Sequence, residues 1–149
     1  MIMDALLLVS DAQAITADAV STNTIDLGNP TVKNRIGSGE PMGFLVTVDV
    51  AADITTGDET YAIEIISSAA ANLGSPTVLA RFVFTAAQLA AGAQLFLPLP
   101  QQFPQQRYIG LNYDVGGTTP TVTVTASLMP ASMANAEGRN TFYAKGYAV

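Results

Sequence analysis

Apolar and polar residues alternate with a period of two along most of this chain, and Gly, Pro, Asn and Asp interrupt the alternation at short intervals. That rhythm predicts β-strands with one buried face. It is clearest over Thr121–Leu128. There Val122, Val124, Ala126 and Leu128 are set to face a core, and Thr121, Thr123, Thr125 and Ser127 to face water or a partner. The core set is Phe44, Val46, Val48 and Val50 over Met42–Val50, and Tyr61, Ile63 and Ile65 over Thr60–Ile66. Over Thr77–Phe84, Val78, Ala80, Phe82 and Phe84 oppose Leu79, Arg81 and Val83. Leu95, Leu97 and Leu99 make a short strand that Pro98 and Pro100 confine to a sheet edge. Arg107–Tyr113 sets Ile109, Leu111 and Tyr113 against Tyr108, Gly110 and Asn112. With Ala5–Val9 and Thr24–Leu27 the expected count is about eight strands. The prediction is an all-β, jelly-roll-like two-sheet β-sandwich, with an up-and-down barrel as the alternative.

One segment breaks the rhythm. Thr85–Gly92 is rich in alanine, offers Thr85 as an N-cap and stops at Gly92, which predicts one short helix held to the sheet by Leu89. Gly57-Asp58 and Gly116-Gly117 predict tight turns. Gly28-Asn29-Pro30 and Gly37–Pro41 bracket a polar segment that carries Lys33 and Arg35, and Gln101–Gln106 is a polar loop around a single aromatic, Phe103. After Pro130 the pattern changes. Residues 1–130 are expected to form the sandwich domain and 131–149 a tail or arm. The tail concentrates Phe142, Tyr143 and Tyr147 in its last nine residues. Disordered tails seldom hold aromatics so densely. Two readings stand: the tail folds back on its own sandwich, or it docks on a neighbour by pairing with a sheet edge, with those aromatics as anchors.

Composition narrows the chemistry. The 149 residues include no histidine and no cysteine. The most common proton shuttle, the strongest common nucleophile and the usual zinc ligands are therefore missing. A domain of this length buries roughly 68–70% of its unfolded surface, enough for a core without cross-links. The net charge is −6 and is unevenly spread: residues 1–75 hold ten acids and two bases, residues 76–149 two acids and four bases. Nucleic acid is not an expected partner, because phosphate binding needs clustered Lys and Arg. No stretch suits a membrane: Ala5–Val9 is too short to span one and has no basic flank. The charge asymmetry is either ordinary loop composition or a device for self-complementary assembly, a basic tail lying on an acidic neighbour.

Three chemical possibilities deserve a test. Asp49, Asp53, Asp58 and Glu59 crowd one connection, as calcium ligands do, but at no EF-hand spacing. Glu64 sits in an apolar strand and is the best single candidate for a perturbed acid; the plainer expectation is an ion pair with Arg81 or Arg107 across the sheet. Phe103, Tyr108 and Tyr113 are the aromatics a sugar-binding module would use. Ser10-Asp11 and Ser67-Ser68 have no base to activate them. No catalytic residue, cofactor site or metal site is expected.

Several segments, in order, resemble the capsid cement (decoration) proteins of tailed bacteriophages. They are Ser10–Thr16 with Ser21–Gly28, then Arg35–Pro41, then Leu97–Pro100 with Arg107–Tyr113. The resemblance covers about residues 5–128, and the chain departs from it in a longer Gln101–Gln106 loop. It implies a non-enzymatic virion protein, dimeric in related proteins, on the capsid exterior and bridging major capsid protein subunits. Lys33, Arg35, Phe103, Phe142, Tyr143 and Tyr147 are the expected partner contacts. A carbohydrate-binding sandwich of a fibre or tail is the alternative.

Overall fold

A computed structural model describes residues 4–28, 39–100 and 106–134. Two antiparallel sheets pack face to face. The first runs β1 (Leu8–Ile15), β9 (Val122–Pro130), β4 (Met42–Val50), β7 (Gln94–Pro98). The second runs β2 (Ala19–Val20), β8 (Tyr108–Gly116), β5 (Thr60–Ser68), β6 (Thr77–Phe84), with β3 (Ile25–Asp26) also on β8. β2 and β3 are two halves of one interrupted strand along the same neighbour. Apart from the β5–β6 hairpin, every connection then crosses between the sheets. This is the strand order of an eight-strand jelly roll. The two sheets are separate ladders, so the barrel alternative is set aside.

The core is the inward face of both sheets, as alternation predicts: Phe44, Val46 and Val48 on β4, Tyr61, Ile63 and Ile65 on β5, Ile109, Leu111 and Tyr113 on β8, and Val122, Val124, Ala126 and Leu128 on β9. Thr123, Thr125 and Ser127 take the opposite face of β9. Among the described residues β7 pairs with β4 alone, the edge position its prolines require. The alanine-rich crossover is a single 3₁₀ turn at Ala86–Leu89 with Leu89 buried. The Gln88 side chain accepts the Thr85 backbone N–H at 2.9 Å.

Departures from the expected pattern fall where a bulge shifts the register. Between Val48 and Val50 the β4–β9 ladder slips, and Val50 turns outward instead of joining the core. Between Ile65 and Ile66 the β5–β6 ladder slips, so Val78 is exposed while Leu79 packs on the core. The first strand begins at Leu8 rather than Ala5. The Asp4 carboxylate and carbonyl accept the backbone N–H groups of Leu6 and Leu7, which fixes residues 5–7 as a turn. β1 then runs on through Ser10–Ile15. Ala12 adopts φ 44° within an irregular stretch of the β1–β9 pairing and hides the alternation there.

The sandwich has two ends. The β1–β2, β4–β5, β6–β7 and β8–β9 connections meet at one: Ala52 N–H donates to Leu89 O (2.9 Å) and Asp53 N–H to Thr121 O (2.9 Å). The β3–β4, β5–β6 and β7–β8 connections lie at the other, together with the exit of β9. There Leu27 N–H donates to Arg107 O (2.7 Å), and Ala131 N–H donates to Pro41 O (2.8 Å).

Candidate functional site

All six residues expected to contact partners, Lys33, Arg35, Phe103, Phe142, Tyr143 and Tyr147, lie outside the described residues. Their points of attachment do not. The stretch holding Lys33 and Arg35 is joined to the described residues at Gly28 and Gly39, the stretch holding Phe103 at Pro100 and Gln106, and the tail at Ala134. All three tethers are at the end of the sandwich where β9 exits. A rigid plate is fixed just beneath them. Arg107 donates to both oxygens of Asp26, at 2.9 and 2.8 Å, and lies 5.1 Å from the centroid of the Tyr108 ring. The guanidinium holds the Asp26 carboxyl down at about 2. The same pairing favours the charged form of Arg107. Glu40 accepts a hydrogen bond from Ser132, tying the start of β4 to the chain leaving β9.

The segment Ser10–Thr16 with Ser21–Gly28 closes the flank of the sandwich between β1 and β2. The Gln13 carbonyl oxygen accepts from Ser10 Oγ (2.7 Å), Thr22 N (3.0 Å) and Thr22 Oγ1 (3.2 Å), while its amide donates to Val20 O (2.9 Å). Ser10 gives its one proton to Gln13, so the buried Tyr113 hydroxyl donates to Ser10 Oγ at 2.8 Å. Burial pushes the Tyr113 phenol well above its ordinary value, and it stays protonated as that bond requires. Asn23 N–H donates to Val9 O (2.8 Å), and Ser21 Oγ accepts Leu111 N–H (3.2 Å) and donates to Asn23 O (2.9 Å). Leu73, from the β5–β6 loop, covers this region: a methyl added to Gly110 would sit 2.6 Å from its Cδ1 and 2.8 Å from Ser21 Oγ. Ser10, Gln13, Ser21 and Asp26 organise the flank, yet period-two reading singles out none of them. The available signal was the polar Ser-Asp-Ala-Gln run where a strand should alternate.

The acids resolve into structural roles. Asp58 accepts from Thr56 Oγ1 (2.6 Å), Thr118 N (3.1 Å) and Thr118 Oγ1 (3.0 Å). Glu59 accepts from Thr56 N (3.0 Å) and Gly57 N (2.9 Å), Asp53 from Thr55, and Asp49 from Thr125 Oγ1 (2.7 Å). Hydrogen bonds from these threonines hold the Asp53, Asp58 and Glu59 carboxyls below their ordinary values. Gly117 lets the two turns touch: at φ 95° its Cα lies where an added methyl would be 2.5 Å from Asp58 O. Among the described residues no group of three or more acids is arranged to hold a metal ion. Glu64 pairs with Arg81 and accepts from Asn112 Nδ2 (2.8 Å), and Arg81 also reaches Asp114 at 2.6 Å. Both carboxylate oxygens of Glu64 are thus engaged across the outer face of the second sheet. Tyr113, one of three aromatics a sugar site would need, is in the core and unavailable to a ligand. No helix among the described residues is long and apolar enough to cross a membrane.

Fold and site together define a jelly-roll β-sandwich whose polar networks hold strands and turns in place. Residues 9–131 match the family model for Bbp16, and the chain belongs to the Bbp16 family. No curated protein matches it.

Proposed function

We propose that the protein is a capsid cement protein: a non-enzymatic brace on the outside of a phage head, acting as a homo-oligomer that bridges major capsid protein subunits. The observation that carries this reading is the gathering of three tethers at one end of a rigid sandwich. The segments bearing Lys33 and Arg35, Phe103, and Phe142, Tyr143 and Tyr147 start from one plate, which the Asp26–Arg107 pair and the Glu40–Ser132 bond stiffen. The ordered resemblance of Ser10–Gly28, Arg35–Pro41, Leu97–Pro100 and Arg107–Tyr113 to cement proteins supports it. So does the use of the acids for turns and cross-strand pairs.

The mechanism needs no reaction. Pressure from packaged DNA loads a shell along its subunit seams. A stiff body attached to two or more subunits must be released from all of them before a seam opens, so modest patches combine into strong avidity. A standard interface of roughly 1,600 Å² would suffice for each stable contact.

The test is to purify phage heads from a host expressing the chain and from one in which its gene is deleted. Expected are the chain on intact particles, in a fixed ratio to the major capsid protein, and loss of DNA at lower temperature from particles that lack it. Particles free of the chain, or heads of unchanged thermal stability, would overturn the reading.

A further inference from the structure

We propose that the hollow between the β4–β5 loop and the end of β6 is a docking site for a segment of a partner protein that carries an apolar side chain flanked by Lys or Arg. The hollow has a volume of about 410 Å³ and is walled by Ile54, Tyr61, Val83, Phe84 and Ala87, with Glu59 at its rim. Both of its sides are tied down. The Tyr61 hydroxyl donates to Asp53 O at 2.7 Å, which fixes the β4–β5 loop to β5, and the Gln88 side chain accepts Thr85 N–H at 2.9 Å, which fixes the turn after β6. Ile54 and Val83 are large and apolar, yet 62% and 70% exposed. Walls this open suit a chain laid across the surface better than a small molecule, which a pocket encloses on most sides.

Charge sets the chemistry of the occupant. Elsewhere among the described residues, arginines neutralise the acids of the second sheet: Glu64 and Asp114 share Arg81, and Asp26 has Arg107. Beside the hollow the acids are held by neutral donors instead. Glu59 accepts from Thr56 N and Gly57 N, Asp58 from Thr56 and Thr118, and Asp53 from Thr55. Such bonds fix the carboxylates and favour their ionised form, and they cancel no charge. Asp18 and Asp49 lie at the same end of the sandwich, and among the described residues that end carries no base. An apolar hollow alone accepts any hydrophobe. Uncompensated negative charge around it selects one with cations at its side and repels acidic competitors. An apolar centre with a polar rim is also the anatomy of a protein-binding patch. The inference does not rest on the capsid reading, since this end is opposite the three tethers and the test uses the isolated protein.

The test titrates the full-length, isotopically labelled chain with three capped tripeptides, Lys-Phe-Lys, Glu-Phe-Glu and Lys-Gly-Lys, and follows amide chemical shifts. Lys-Phe-Lys should move the signals of Ile54, Val83 and Phe84, and should saturate them at roughly tenfold lower concentration than either of the other two. Val83→Lys should abolish that preference. Salt near about 1 M, where the Debye length is about 3 Å, should bring Lys-Phe-Lys and Glu-Phe-Glu together. Equal affinity for the three peptides, or shifts confined to residues away from the hollow, overturns the proposal. So do nuclear Overhauser contacts between residues 135–149 and Val83 in the free chain, which would make the hollow the seat of the chain's own tail. So does movement of the same signals with protein concentration alone, which would make the occupant a second copy.

Discussion

The two flanks of the sandwich are built from opposite materials. Between β1 and β2 the sheets are joined by polar side chains: Gln13 binds Ser10, Val20 and Thr22, and Tyr113 binds Ser10. On the other flank β6 presents the apolar side chains of Val78 and Val83 to solvent. β1 and β6 are both edge strands, each paired with one neighbour among the described residues, so the flanks differ in their side chains and not in their backbone edges. The difference separates a flank held by polar side chains from one that leaves methyl groups in water.

Substitutions on each flank sharpen that contrast. The largest effect is expected from Leu73→Ala, which empties a fully buried position against the polar flank; it should cost about 3 kcal/mol in a urea unfolding series. Gln13→Ala removes four hydrogen bonds, though water replaces some at this half-exposed site, and should cost about 1–2 kcal/mol by the same measurement. Acid titration comes next. Asp26, Asp53, Asp58 and Glu59 titrate below their ordinary values when folded, so the folded state binds fewer protons than the unfolded chain. Their contribution is complete above the ordinary carboxylate range and is lost as pH falls toward about 2. Between pH 6 and 8, with no histidine to titrate, the melting temperature should stay flat. The smallest effect belongs to the open flank. Val83→Lys should shift stability by less than about 0.5 kcal/mol in the same urea series. If Val83→Lys instead cost as much as Gln13→Ala, the contrast between the flanks would fail.

Alternation made most of the core legible. Tyr61, Ile63 and Ile65, or Val122 through Leu128, face inward because a strand with one wet side leaves no other arrangement. It failed at Val50 and Val78, where a bulge inserts one residue and reverses every later position until the register recovers. Bulges depend on how two strands meet, and a single strand's sequence does not carry that information. The polar flank was hidden for a related reason. Ser10 and Tyr113 are 103 residues apart in sequence, and the jelly-roll order alone brings them together. Glu64 with Arg81 was foreseeable because opposite charges in neighbouring strands find each other; Arg107 chose Asp26 instead, a partner on the short strand β3. The acidic β4–β5 connection resembled a cation site in sequence because turn-capping and cation binding recruit the same carboxylates.

The tethering of three segments to a single pole has an evolutionary corollary. The core of the described residues is closed by the inward faces of the two sheets, with Gly28, Gly39 and Ala134 at one end of it. If the proposed function holds, exchanging these segments would refit one pole to a different partner, while the opposite pole kept its own chemistry.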